Sequence, residues 1–209
     1  MTWWRRNRVW LALLPVVLLA LGAAASYRVA DYWWNVEPHE VIARGEPGRA
    51  LTFTDDYEDA LGETSRTLTV EVVDVAELDA VPVRRLDDPV PLSDDARVVR
   101  VTMDWEADPD QGLRGCTVAL RDSRGRTHRL SSAGLRFASC LPSEGGGPLV
   151  PSAVDDAAGR SVPDGEERLP AWRTRPVFVV PQDAEITEVL LWWQLPEHVV
   201  LPVPPRAGS

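Results

Sequence analysis

Hydrophobic and polar positions divide this chain into two regimes. From Val9 to Ala25 the residues are apolar or small and uncharged for 17 positions, close to the shortest stretch that spans a bilayer as a helix. Beyond that run the period changes to two. Val99, Val101, Met103 and Trp105 alternate with Arg100, Thr102, Asp104 and Glu106, which predicts a strand with one buried and one wet face. Leu68, Val70 and Val72 alternate with Thr67, Thr69 and Glu71 before the apolar set shifts phase to Val73 and Val75, the signature of a bulge or bend. Cys116, Val118 and Leu120 form a third set, followed by the turn residues Asp122-Ser123-Arg124-Gly125 and a return over Thr127 to Leu130, which together predict a hairpin. Further strands are expected at Ala50–Phe53, Val177–Val180, Ile186–Trp193 and Val199–Leu201, with long loops over Arg84–Ala96 and Leu141–Pro170. No amphipathic helix is expected in this part. Short strands punctuated by 18 prolines and 14 glycines predict an all-β, antiparallel β-sandwich behind one transmembrane helix.

The residues flanking the apolar run settle its direction. Trp3, Trp4, Arg5, Arg6 and Arg8 precede it, and Tyr32, Trp33 and Trp34 follow it. Arginine-rich flanks stay cytoplasmic, and Trp and Tyr collect at membrane–water interfaces. Trp4 and Trp33 stand 29 positions apart, roughly 43 Å along a helix, close to a bilayer with its headgroups. Two readings fit. One is a signal peptide cut after Ala23-Ala24-Ala25, which releases a secreted protein. The other, preferred because a signal peptide has no use for a second aromatic girdle, is an uncleaved anchor. It crosses the cell membrane once, N-terminus in the cytoplasm and C-terminal domain outside. The expected organisation is a basic N-terminus over 1–8, a transmembrane helix over 9–27, a juxtamembrane linker over 28–48, the sandwich over 49–201 and a flexible tail over 202–209.

Composition narrows the partners. After position 27 stand 19 arginines against all 32 acids, a net charge of −13, and lysine is absent throughout. Such a balance opposes nucleic acid and anionic lipid headgroups as partners of the exported part. The missing lysines remove Schiff-base chemistry. Cys116 and Cys140 both follow the apolar run, and two thiols in an oxidising compartment are expected to pair.

Three stretches carry a resemblance: Val98–Glu106, then Leu120-Arg121-Asp122-Ser123-Arg124-Gly125-Arg126, then Pro176–Pro181 ahead of Ile186–Leu191. A strand, a D-x-x-G hairpin turn and an F-x-V-P strand in this order resemble the immunoglobulin-like domains of membrane-anchored actinobacterial envelope proteins. The Trp-Trp-Arg-Arg-Asn-Arg and Tyr-Trp-Trp blocks resemble uncharacterised single-pass actinobacterial proteins. The resemblance implies an immunoglobulin-like sandwich acting as an adhesive or accessory module, and carries over no catalytic residue.

Chemistry is sparse. His39, His128 and His198 share no metal-ligand spacing. There is no nucleophile elbow, Walker loop or dinucleotide fingerprint, and Ser131, Ser132 and Ser139 have no activating context. No cofactor is implied. The densest acids, Asp55, Asp56, Glu58 and Asp59, read as a solvated loop and are weak candidates for calcium. Asp108-Pro109-Asp110-Gln111-Gly112 reads as a turn. Trp192 and Trp193 are strand neighbours and point to opposite faces, so one can enter the core while the other faces outward, either exposed as a partner contact or covered by loops or a second layer. Trp172 raises the same question. The expected function is a non-catalytic binding or accessory module of the envelope, held in the bilayer by its helix and engaging another envelope or membrane protein. The alternatives are a calcium- or ligand-sensing domain and, less favoured, an envelope hydrolase.

Overall fold

A computed structural model describes residues 3–29, 32, 34–59, 62–79, 92–130, 140–142, 147 and 167–205. The apolar run forms helix α1, Trp3–Val29, with Pro15 inside it. Its 27 residues span roughly 40 Å. Arg6 to Arg28 is long and apolar enough to cross a membrane, with a mean hydropathy of 2.3 and none of it buried. Arg28 in the last turn lies where a cation meets the negative end of the helix dipole.

The strands are β1 Glu40–Arg44, β2 Leu51–Asp59, β3 Gly62–Leu78, β4 Ala96–Ala107, β5 Thr117–Asp122, β6 Thr127–Arg129, β7 Ala171–Thr174, β8 Val177–Pro181, β9 Ile186–Trp192 and β10 Glu197–Pro202. They form two sheets. One has the order β1-β10-β9-β5-β6; in the other β2-β3-β4 is extended by β7 and β8, which both pair with β4. The alternating residues read from the sequence line the space between them: Val99, Val101, Met103 and Trp105 from β4, Leu68, Val70 and Val72 from β3, Val118 and Leu120 from β5, all in one buried cluster with Phe178, Val189, Leu191 and Leu201. The phase change at Val73 is a bulge, with the β3–β4 register shifting between Val72 and Asp74 and Val73 left exposed.

β7 and β8 are one strand broken by proline. Pro176 has no N–H to give to the ladder, but its carbonyl accepts a hydrogen bond from the Val101 N–H at 3.0 Å, so pairing with β4 resumes at Arg100–Val177.

The structure corrects the expected layout in three places. The sheets are not wholly antiparallel: β1 runs parallel to β10. The two strands lie near opposite ends of the sequence, so no tight turn has to join them and parallel pairing is open to them. β1 itself falls within the stretch expected as linker. Its five residues are mostly exposed and a register shift between Val41 and Ala43 erases their alternation. The acids from Asp55 to Asp59 are strand, not loop: β2 pairs with β3 along its whole length, to Asp59–Gly62. The expected tail also starts late, because Val203 still donates to the Thr187 carbonyl at 2.9 Å. Most of the two predicted long loops, Ser131, Ser132, Ser139 and residues 206–209 lie outside the described residues.

Cys116 and Cys140 form a disulfide with a Cα–Cα distance of 6.0 Å, closing a 24-residue separation. Both sulfurs' residues are buried in the core cluster. Replacing both cysteines with alanine is expected to lower unfolding stability by about 3 kcal/mol, measured by urea denaturation of the oxidised protein against the variant.

Candidate functional site: tryptophans, arginine clusters and the juxtamembrane junction

Trp192 sits on the face of its sheet away from the core, as strand alternation requires, yet it is 6% exposed. It packs with Ala119, Leu190 and Val200, and the Arg129 guanidinium lies 5.7 Å from its ring centroid. Arg129 also donates to the Val36 carbonyl at 2.9 Å and to the Glu37 carboxylate. Arg121 reaches the Pro38 carbonyl. The chain leaving α1 is thus laid across the outer face of this sheet, where Pro38 is buried. Of the two alternatives for the outward tryptophan, the covered one holds: Trp192 points out of the core and is buried beneath Arg129, which the linker engages.

Trp193 is half-buried. Its Nε1–H donates to the Leu113 carbonyl at 3.0 Å, and its ring lies beside Phe53. Trp172 donates to the Cys140 carbonyl at 2.7 Å and stacks parallel to Trp105, its partner across β4 and β7, with centroids 6.1 Å apart. Trp172 and Trp105 border an open depression of about 480 Å³ rimmed by Thr69, Glu71, Glu106 and Arg173. All three predicted contact tryptophans therefore have internal partners, and Trp172 alone of them borders this depression.

The acid cluster on β2 does not converge. Asp55 is 8% exposed and accepts from Arg66 Nε at 2.7 Å, while Asp56 and Glu58 stand on the opposite, exposed face. Arg66 is itself buried between two rings, 3.8 Å from the Tyr57 centroid and 4.5 Å from that of Trp193. A planar, weakly hydrated guanidinium suits such a slot far better than an ammonium would. Among the described residues no three His, Cys, Asp or Glu side chains are grouped to hold a metal ion.

The D-x-x-G turn is a charge node. Asp122 is buried and accepts from the backbone N–H groups of Arg124 and Arg126, from Arg126 Nε at 2.6 Å and from His128 Nε2 at 3.1 Å. Burial, the largest single influence, would raise its pKa; the bonds from Arg126, His128 and Arg124 together outweigh it and hold the carboxyl far below the usual carboxylate range. Gly125, at φ 78°, supplies the left-handed residue of the turn. Asp183 pairs with both Arg124 and Arg126, tying this hairpin to the β8–β9 turn. On the outer face of the other sheet, a two-pronged hydrogen bond from Arg173 lowers the Asp104 carboxyl's pKa.

Sequence reasoning treated His198 only as a metal candidate. It lies on β10 at 1% exposure, and Nδ1 faces the Pro196 carbonyl at 3.4 Å while Nε2 has no partner among the described residues. Burial, chiefly, and Arg121 lower its pKa below the ordinary histidine value, against the opposing influence of the Pro196 and Glu40 backbone and of Glu188.

At the ends of the apolar run, Trp3, Arg6 and Arg8 are exposed on α1, and Tyr32 and Trp34 are exposed beyond it. The Trp4 and Arg5 side chains and Trp33 lie outside the described residues. Trp34 lies against His39 with ring centroids 4.9 Å apart.

No protein-family model and no curated protein matches this sequence. Two solved bacterial structures are similar to it. A conserved hypothetical protein from Bacillus anthracis is 12% identical with a TM-score of 0.35, covering 69% of this chain and 89% of its own. An uncharacterized β-sandwich protein from Clostridium difficile 630 is 10% identical with a TM-score of 0.35, covering 79% of this chain and 95% of its own.

Two expectations follow. Replacing Arg66 with leucine strands the buried Asp55 carboxylate and is expected to cost about 3–5 kcal/mol; Arg66→Leu with Asp55→Leu together should cost clearly less, read from a double-mutant denaturation cycle. His198, with its folded pKa lowered, takes up a proton more readily when unfolded. Stability should therefore fall as pH drops below the unfolded value of about 6.5. Urea melts at pH 7.5 and 5.5 should show that loss, and His198→Leu should reduce it.

Proposed function

We propose that this chain is a membrane-anchored extracytoplasmic binding or accessory module of the cell envelope, with no catalytic activity of its own. One observation carries the reading: an exposed, bilayer-length helix is followed within a few residues by a linker bolted to the sandwich through Arg129 and Arg121. Val29 and Val36 are seven positions apart, so at most about 25 Å of extended chain separates helix from fastened linker. A module held that close to the bilayer meets membrane partners at high effective concentration, and modest contacts suffice.

The anchor is favoured over a cleaved signal peptide. Ala23, Ala24, Ala25 and Ser26 lie inside α1, where Ser26 Oγ donates to the Ala23 carbonyl at 2.7 Å. Peptidases take their substrates as extended chain, and a helix through the cut site withholds that shape. The disulfide supports an extracytoplasmic setting for the sandwich.

We read the sandwich as immunoglobulin-like. The chain crosses from one sheet to the other between β4 and β5, and β6-β5-β9-β10 are adjacent in one sheet. This order fits the C′CFG sheet of that fold, with β4 in the place of strand B. β1 and β2 are then additions. The disulfide departs from the pattern, because immunoglobulin domains bridge their sheets between strands B and F, whereas Cys116 precedes β5 and Cys140 follows β6.

The favoured partner contact is the depression beside Trp172, whose rim mixes an arginine with acids. Carbonate-washed membranes should retain the full-length protein, and protease added outside intact cells should remove the sandwich; a mature mass lacking residues 1–25 would overturn the anchor. Crosslinking in native membranes should capture a membrane or envelope protein, and Glu106→Arg should diminish that product while leaving the protein folded and anchored.

A further inference from the structure

The sandwich has two distinguishable ends. β1 starts at Glu40, opposite Glu197, and both the His39 and Glu40 N–H groups donate to the Pro196 carbonyl. The β9–β10 turn therefore lies at the end where the chain arrives from the helix. The tip of the β2–β3 hairpin shares this end, since Arg66 stacks on Trp193. The Asp122 turn and Val179, which pairs with Val98 opposite Leu78, belong to the other.

At the arriving end the tip of the β2–β3 hairpin is acidic and exposed, but the incoming segment carries large exposed apolar side chains between Asn35, Glu37, His39 and Glu40. Tyr32 is 72% exposed, Trp34 65%, Val36 39%, Val41 45% and Ile42 39%. Val41 and Ile42 are sequence neighbours, which a regular strand would send to opposite faces. The register shift between Val41 and Ala43 leaves both exposed instead. The chain also folds back here: His39 touches Trp34, and Val41 stands two residues further on, about 7 Å of strand. A tryptophan directly after a membrane helix sits at headgroup level, and the interfacial zone on each side of a bilayer is about 5–7 Å deep. Val41 and Ile42 are thus within reach of the same layer as Trp34.

We propose that Tyr32, Trp34, Val36, Val41 and Ile42 form a continuous foot by which the sandwich rests in the outer surface of the bilayer, the occupant of this face being lipid rather than protein. The foot continues the contact that α1 makes, and the inference rests on α1 spanning the membrane. It fixes the domain's orientation: the β1 edge lies on the lipid, and the depression beside Trp172 belongs to the other sheet. The contact is apolar and interfacial, which is how a strongly acidic domain can rest beside anionic headgroups that oppose its net charge.

The test uses the full-length protein in nanodiscs of phosphatidylcholine and phosphatidylglycerol, with an environment-sensitive fluorophore on single introduced cysteines and a nitroxide-bearing phosphatidylcholine as quencher. Val41→Cys and Ile42→Cys report the foot. Val73→Cys and Val179→Cys are references with matching exposure, 39% and 40%, away from it. Leu14→Cys reports α1. Labels at 41 and 42 should be quenched several-fold more than those at 73 and 179, and the label at 14 should be quenched by a chain-deep nitroxide. Quenching at 14 with no difference between 41 or 42 and the references overturns the foot and leaves the anchor standing. Absence of quenching at 14 overturns the anchor and the foot together.

Discussion

One guanidinium joins the three parts of this molecule. Arg129, at the end of the three-residue β6, lies over the Trp192 ring and holds the Val36 carbonyl and the Glu37 carboxylate. It shares the hold on the segment after α1 with Arg121, which reaches the Pro38 carbonyl, and that segment lies over the outward apolar cluster of Ala119, Leu190, Trp192 and Val200. That face and its cover are interdependent. Pro38 of the linker is buried, and Leu195 packs against the same cluster. Such an arrangement makes the segment that follows α1 part of the fold.

The same device recurs. Arg66 lies between Tyr57 and Trp193, and Arg168 stands 4.9 Å from the Trp172 ring with its amino groups on the Asp108 and Gln111 carbonyls. In a chain without lysine, arginine serves as a flat spacer between rings and backbone as well as a counter-ion. These stacks close the end of the sandwich where the chain arrives from α1, beside the core residues Leu68 and Leu113. The opposite end is closed by charge instead, through Asp122, Arg124, Arg126 and Asp183.

Much of the fold was legible because burial imposes a period. Val99 to Trp105 alternate without interruption, and the phase slip at Val73 marked its bulge. The segments that escaped are those where the period fails for a physical reason: β1, whose bulge breaks alternation within five residues, and β7, four residues cut off by Pro170 and Pro176. That Trp192 and Trp193 part to opposite faces was legible, but not which one leaves the core, nor that residues 34–39 return over that face; this depends on arginines some ninety positions away. Asp55 read as a candidate ligand because its partner Arg66 lies across a hairpin. Thr54 and Thr67 facing each other at 2.9 Å show the register that a local scan could not supply. His198 looked unremarkable, since a buried histidine is defined by its surroundings and not by its neighbours in sequence.

Domains tethered to one surface meet side by side, in the geometry that most favours strand-to-strand polymerisation. Their margins matter more than they would in solution. Among the described residues the outer strands are unattractive templates. β1 is short and bulged, β6 has three residues, and the β7–β8 margin is split by Pro176, each a recognised way of blunting a sheet edge. The one long margin, β2, carries Asp56 and Glu58 outward, so two copies brought edge to edge would confront like charges. On the proposed anchor, crowding can therefore rise without the sandwiches zipping into arrays, and lateral assembly is left to contacts made by side chains rather than by bare backbone.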